Sequence, residues 1–406
     1  MKVTEKPTAF KIQPAPLGKV VGKAKTWNPV RDAADSEFTY IDLSSIDQAS
    51  KTITETTKVI GRDAPSRARQ IVKGGDVLVA TVRPNLNGVA RVTAELDDAT
   101  ASTGFCVLRP EPSSIDGNFL FHWVKTPDFV SDMVRKSTGA SYPAVSDRII
   151  LDSFVPLPPL SEQKRIAEIL DRAEALRAKR RAALALLDEL TQSIFLDMFG
   201  DAEVQDSKWT VHKIAEYVAE FQGGKSIEST DDNNSQRRVL KVSAVTGMKF
   251  RHHESKPIDD AYEPPDDHYV RNGDLLFSRA NTTELVGAVA YVTDCPQNLL
   301  LPDKLWRFVW KDENTVHPLF IWYLFQTRPV RREIGNRATG TSGSMKNISK
   351  AKLFGIPTIL PPFELQQKFA ERINELELTQ DRLKGSLTEL DQLFASLQHR
   401  AFRGEL

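Results

Sequence analysis

Residues 158–199 read PPLSEQKRIAEILDRAEALRAKRRAALALLDELTQSIFLDMF, and residues 361–402 read PPFELQQKFAERINELELTQDRLKGSLTELDQLFASLQHRAF. The two stretches align without insertion at one offset, 203 residues. Pro158-Pro159-Leu160 falls on Pro361-Pro362-Phe363, and Gln163, Ala167 and Glu168 fall on Gln366, Ala370 and Glu371. Further along, Leu187, Asp188, Leu190, Ser193 and Phe199 fall on Leu390, Asp391, Leu393, Ser396 and Phe402. In the first copy apolar residues recur at steps of three and four: Ile166, Ile169, Ala173, Leu176, then Ala183, Leu187, Leu190 and Ile194, with Arg180 as an interruption. The second copy gives Phe369, Ile373, Leu376, Leu383, Leu387, Leu390, Phe394 and Leu397, interrupted at Gln380. That average step of about 3.5 residues is a coiled-coil seam. Pro156 and Pro159 stop the preceding element, Ser161 suits an N-cap with Glu162 in the first turn, and Gly200 suits a C-terminal stop. About 40 residues of helix extend roughly 60 Å at 1.5 Å per residue. A stripe of that length needs a partner of similar length. The chain carries one in its other copy, and that pairing is favoured over a coiled coil between two chains.

The repeat extends beyond the helices. YIDLSSI at 40–46 matches VLKVSAV at 239–245, and GDVLV at 75–79 matches GDLLF at 273–277. Trp123 in FLFHWV matches Trp322 in LFIWYL, and Thr138-Gly139 matches Thr339-Gly340. Two unrelated domains with chance matches would not keep this order. A period near 200 residues is too long for a solenoid and reads as one duplicated unit, a mixed domain followed by a long helix. In the mixed part, residues 73–76 and 272–274 are turns leading into strands at 77–82 and 275–278, a hairpin signal. Residues 105–108 and 305–310 are further strands. Residues 119–130 and 319–325 are expected to be helical and to face a core, with Trp123 and Trp322 as core anchors rather than base-stacking platforms.

Bulk properties narrow the function. Lys plus Arg and Asp plus Glu both number 54 in 406 residues, so the net charge is +0 and DNA contact would need local patches. Cys106 and Cys295 form no CxxC pair, which fits a reduced cytoplasm and no metal site. The start MKVTEKPTAFKIQP has no apolar signal core, and no run of about 18 apolar residues exists for a membrane span, so a cytoplasmic location is expected. Several catalytic phrases fail. Gly223-Gly224-Lys225-Ser226 resembles the end of a phosphate-binding loop, but the required earlier glycine is Ala219. Leu360-Pro361-Pro362-Phe363 resembles an amino-methyltransferase motif with Leu where a polar residue must hold the amine, and no GxG cofactor loop accompanies it. His252, His253 and His268 with Asp266 and Asp267 match no metal-ligand spacing. No catalytic residue and no metal ligand is assigned.

The phrases PLPPLSEQKRIAEIL at 156–170, LPPFELQQKFAERI at 360–373 and LDQLFASLQHRAFRGEL at 390–406 resemble the conserved helical regions of type I restriction-modification specificity subunits. The resemblance implies an α+β fold: two mixed α/β target-recognition domains in a pseudo-twofold tandem repeat, separated by two long helices that pair antiparallel within the chain. The corresponding boundaries are 1–157 and 201–360 for the recognition domains, and 158–200 and 361–406 for the helices. It further implies that each domain reads one half of a split double-stranded DNA site, that the helices set the unread gap, and that two modification subunits dock on them. Motor-nuclease restriction subunits join in some systems. S-adenosylmethionine, ATP and Mg belong to those partners, and no cofactor belongs to this chain. The expected helix-pair seam is Ile166, Ala173, Leu187, Leu190 and Ile194 against Phe369, Ile373, Leu376, Leu383, Leu387, Leu390 and Leu397.

Base reading needs side chains that both donate and accept, carried on loops beside strands. The loop at 81–88 offers Arg83, Asn85 and Asn87, and the matching loop at 278–283 offers Arg279, Asn281 and Thr282. Ordinary turn chemistry explains the same residues, and both readings stand. A second pair of loops, 137–142 and 339–346, offers Ser141, Tyr142, Ser342, Ser344 and Lys346 for bases or phosphates. The basic run Arg177, Lys179, Arg180 and Arg181 is a solvated face or faces phosphate or an acidic partner. The competing function is a coiled-coil scaffold that joins proteins without reading DNA; an enzyme with an unrecognised site is a third reading.

Overall fold

A computed structural model describes residues 12–203, 208–232, 235–340 and 345–406. Two compact units emerge: residues 1–183 with 383–406, and residues 184–382. Each long helix therefore contributes to both. The first runs Leu160–Phe199 and the second Phe363–Ala401. Gly200 follows the first at φ +81, the left-handed stop its position implied. Ser161 is not the N-cap, because the helix already includes Leu160, and the preceding prolines close its start.

In the first unit a four-stranded antiparallel sheet has the order Val89–Arg91, Val77–Ala80, Phe105–Pro110, Val21–Gly22. A five-stranded sheet has the order Lys25–Thr26, Ala68–Ile71, Thr100–Ser102, Glu37–Ile41, Thr57–Ile60, with one parallel pairing between Thr100–Ser102 and Glu37–Ile41. The turn at 73–76 is not a hairpin. It carries the chain from Ala68–Ile71 in one sheet to Val77–Ala80 in the other, with Gly75 at φ +93. Asp76 after it is buried and takes two hydrogen bonds from the Arg109 guanidinium, at 2.9 and 2.7 Å. The expected helix at 119–130 is two helices, Gly117–Val124 and Pro127–Lys136, because Thr126 caps the second and Pro127 supplies no N–H for a continuous helix.

The second unit repeats the scheme. Its four-stranded sheet has the order Val218–Gly223, Leu305–Trp310, Leu275–Ser278, Val289–Tyr291, and its three-stranded sheet centres on Arg238–Leu240 with Leu299–Leu300 parallel to it. Gly273 again lies at φ +93, and Asp274 lies 3.0 Å from the Arg307 guanidinium. Burial outweighs Arg307 and pushes the Asp274 carboxyl above the usual carboxylate range. Helices Pro318–Leu324 and Arg328–Arg337 match the pair in the first unit. Trp123 and Trp322 are 9% and 7% exposed, core positions as expected.

Each unit closes on its share of the helices. In the first, Ile166, Ala167 and Leu170 share a core with Phe119, Trp123, Phe394, Ala401 and Phe402, with Ala173 and Leu397 at its edge. The Arg177 guanidinium donates to Asp391 at 2.5 Å and lies 4.3 Å from the Phe394 ring centre. Arg165 donates to the Leu406 carbonyl, so rising number on one helix meets falling number on the other. In the second unit, Phe195 and Phe199 pack on Phe369 with Ile373, with Ile194 and Leu376 at the edge, while Gln380 donates to Asp188 at 3.0 Å. Residues 161–199 and 363–402 thus touch within each unit, in antiparallel sense. Leu187, Leu383, Leu387 and Leu390 are half-buried. Leu190 is 43% exposed and Leu176 55%, so neither lies on the seam. The inward positions beside them belong to Arg177 and Thr191, one residue further on and turned 100° around the helix. Gln380, read from sequence as an interruption, is 8% exposed and belongs to the seam.

The repeated glutamines explain how each helix start is held. Gln163 accepts from the Asp116 N–H at 2.8 Å and donates to the Ser114 and Pro158 carbonyls at 3.2 and 2.9 Å. Gln366 accepts from the His317 N–H at 2.9 Å and donates to the Thr315 and Pro361 carbonyls at 3.2 and 2.8 Å. Both side chains are essentially inaccessible, and each joins a long helix to the loop before the Trp-bearing helix.

Candidate nucleic-acid interface

In the first unit, the two loops singled out from sequence are brought together. Thr81 is buried, and its hydroxyl and N–H both reach the Gly104 carbonyl, at 2.9 Å each. Val82 then bridges to Ala144, and the Arg83 N–H donates to the Pro143 carbonyl at 2.7 Å. Thr138 and Ala144 exchange backbone hydrogen bonds, closing the second loop on itself. Gly139 turns there at φ +103, where an added Cβ would come 3.0 Å from the Tyr142 carbonyl oxygen.

Residues 83–88 form a short 3-10 turn, Pro84–Leu86, bounded by Arg83 at φ +52 and Asn87 at φ +47. Left-handed backbone at two non-glycine residues costs roughly 1–2 kcal/mol each and persists only where surroundings hold it. The Arg83 guanidinium lies 4.7 Å from the centre of the Tyr142 ring, which is 68% exposed. Asn85 and Ser141 are also exposed. Arg83, Asn85, Ser141 and Tyr142 therefore make one solvent-facing group with hydrogen-bonding capacity and an aromatic face. Asn87 differs: its side chain is half-buried, and its Nδ2 lies 3.5 Å from the Lys125 carbonyl.

The second unit joins the same two loops by a two-residue ladder, Ala280 to Asn347 and Asn281 to Lys346. The Ile348 N–H donates to the Arg279 carbonyl at 3.0 Å. Arg279 is already engaged: its Nε donates to the Asp303 carbonyl at 3.0 Å, and its guanidinium lies 5.8 Å from the Trp306 ring centre. Asn281 accepts from the Thr282 N–H at 2.9 Å, while its buried Nδ2 has no hydrogen-bond partner among the described residues. Thr282 is exposed, and the Lys346 ammonium donates to the Gly340 carbonyl at 2.9 Å. Ser342 and Ser344 lie outside the described residues. The basic run divides between roles: Arg177 and Arg181 pair with Asp391, Arg180 is half-buried, and Lys179 is exposed.

Sequence reasoning missed the groups beneath the first loop. The Lys51 ammonium donates to the Asn87 carbonyl at 2.5 Å, and Lys125, 6% exposed in its side chain, pairs with Glu174 of the first long helix at 2.5 Å. Burial holds both ammonium groups below the usual lysine range, partly opposed for Lys125 by Glu174. Beside them His122, fully buried, lies 2.8 Å from Asp171, and burial pushes its imidazole below the usual histidine range despite that carboxylate. No sequence signal marks Lys51; Lys125 lies two residues after the repeated Trp123 and Glu174 on the predicted helix.

A mixed domain that presents polar loops and is braced on a paired helix, twice over, defines a class of duplicated recognition proteins. The type I restriction modification DNA specificity domain matches residues 45–185 and 206–392, and the chain belongs to that family. It is 28% identical over 325 residues to the type I restriction enzyme EcoKI specificity subunit of Escherichia coli (strain K12), covering 74% of this chain and 68% of that one. Two solved structures share the fold. One, from work on assembly and conformational transition of a type I R-M system, has a TM-score of 0.64 at 23% identity, covering 98% of this chain and 100% of that one. The other, the type I restriction-modification S subunit of M. genitalium, has a TM-score of 0.58 at 12% identity, covering 98% of each chain. The chain is a DNA sequence-recognition subunit of a restriction-modification system, and not its catalytic component. As such it binds DNA and assembles with other subunits. Among the described residues no helix is long and apolar enough to cross a membrane.

Proposed function

We propose that each unit reads one half of a bipartite DNA site and that the two long helices set the unread spacer. The observation that carries this reading is the duplicated loop pair: residues 81–83 with 143–144, and 279–281 with 346–347, joined by equivalent backbone bonds at equivalent places in the repeat. Half-sites on one face of DNA fall about 34 Å apart per helical turn, and helices of roughly 60 Å are long enough to set a distance of that order. Arg83, Asn85 and Tyr142 contact the first half-site, and Asn281, Thr282 and Lys346 the second. Two modification subunits dock on the helices and methylate adenine with S-adenosylmethionine; restriction subunits, where present, add ATP- and Mg-dependent cleavage. With a net charge of +0, those partners also supply cationic surface toward DNA.

The test is selection from random duplexes by the chain assembled with its modification subunits. The expected result is enrichment of two short sequences around a fixed gap, with four residues inserted into either helix widening the gap alone. Enrichment of one continuous site, or of none, refutes the split reader, and the latter favours the scaffold reading.

A further inference from the structure

The loop at 83–88 is held from below by side chains outside it. Lys51, itself at φ +58, places its ammonium 2.5 Å from the Asn87 carbonyl. Lys125 offers its carbonyl to the Asn87 side chain and its ammonium to Glu174, and that ammonium also lies 4.1 Å from the centre of the Phe121 ring. Pro84 is buried and, with Asn87, lines a small cavity against Phe129, Val130 and Met133 of the helix Pro127–Lys136. Asn87 thus ends the loop on two lysine contacts, and one lysine is fixed to the first long helix. The second unit uses another device. Gln326 stands at the position equivalent to Lys125, with its carboxamide on the Trp322 carbonyl, and Arg331 donates to the Glu284 carbonyl at 2.7 Å to hold that loop.

We infer that Lys51, Lys125 and Glu174 are positioning residues that clasp the base-reading loop of the first unit to the first long helix. The inference rests on the reading of residues 83–88 as a DNA contact. A loop with two non-glycine residues in left-handed backbone does not keep Arg83 and Asn85 in one place unaided. The Lys51 bond fixes its Asn87 end, while the pair of the buried Lys125 with the half-buried Glu174 holds the surface on which Asn87 sits. Direct readout demands that donors meet base edges within hydrogen-bond geometry. Slack at Asn87 therefore lowers discrimination at the first half-site and leaves the second unaltered, because Lys51, Asn87, Lys125 and Glu174 all belong to the first unit.

The experiment uses the full chain assembled with its modification subunits and measures the sequence preference of both half-sites in one selection. Lys51→Met and Glu174→Gln are expected to reduce discrimination at the first half-site about tenfold, within the range that one bidentate base contact supplies, with the second half-site as internal control. Lys51→Arg, which keeps a cationic donor, is expected to retain most of it. Lys51 lies only half-buried, so its variants test the clasp even where changes at Glu174 impair folding. Unchanged first-half preference in folded Lys51→Met, or equal weakening of both halves, overturns the inference. Arg83→Ala separates the two ways of failing. Unchanged discrimination in that variant overturns the loop as reader and the clasp with it; a loss there beside unaffected clasp variants overturns the clasp alone.

Discussion

Replacing Gln366 by Ala removes one carboxamide that serves three backbone groups: the His317 N–H and the Thr315 and Pro361 carbonyls. The side chain is 0% exposed, so water does not replace it freely. A buried polar group left without a partner costs about 1–3 kcal/mol. Partial hydration of the vacated space returns some of that, and the net loss should be about 2–4 kcal/mol. For a unit of this size each kcal/mol lowers Tm by roughly 2–4 °C, so the second unit's transition should fall by roughly 5–15 °C in calorimetry. Amide exchange supplies a local reading, since the His317 N–H should lose protection ahead of strands in the same unit. Gln366→Glu keeps an acceptor for His317 but sets a carboxylate against two carbonyls, and should be no better than Ala. Gln163→Ala should act alike on the first unit. A Tm shift under about 2 °C with unchanged His317 exchange would refute the idea that these glutamines pin the helices to the recognition domains.

Asp76→Asn leaves the Arg109 guanidinium without its charge partner; Asp76 is 2% and Arg109 26% exposed, so urea unfolding should show a loss of about 3 kcal/mol, and a neutral result would mean the pair is dispensable. His122 should make stability fall with acidification: its folded pKa lies below the unfolded 6.5, so the unfolded chain binds the proton first as pH drops through 6.5. Stability is therefore full above that value and declines toward the folded pKa, by up to about 1.4 kcal/mol per pH unit. His122→Ile should shrink the difference in Tm between pH 7 and pH 5, and an undiminished difference would assign the effect elsewhere, such as to His317, which burial also depresses. Asp391→Ala should weaken the helix pair by no more than about 1 kcal/mol, because the carboxylate is 43% exposed and solvent screens its pairs with Arg177 and Arg181.

The duplication, the two long helices and the family were legible in the amino-acid order, because a constant offset and a helical period are properties of sequence alone. So were the Trp anchors and the Gly-Asp turns, though the partners of Asp76 and Asp274 were not. Arg109 and Arg307 lie 33 residues further on, in the neighbouring strand, and only strand pairing brings them close. The seam was misread at Leu176 and Leu190 for a related reason. Hydrophobic periodicity cannot register Arg177 packing on Phe394, nor Gln380 meeting Asp188. The recognition loops were found one by one as polar turns, but their joining at 82 with 144 and 280 with 347 depends on backbone bonds between distant segments. Periodic local order is written along the chain, whereas a charge pair, a loop junction or a clasp exists only once folding has closed the distance between its parts.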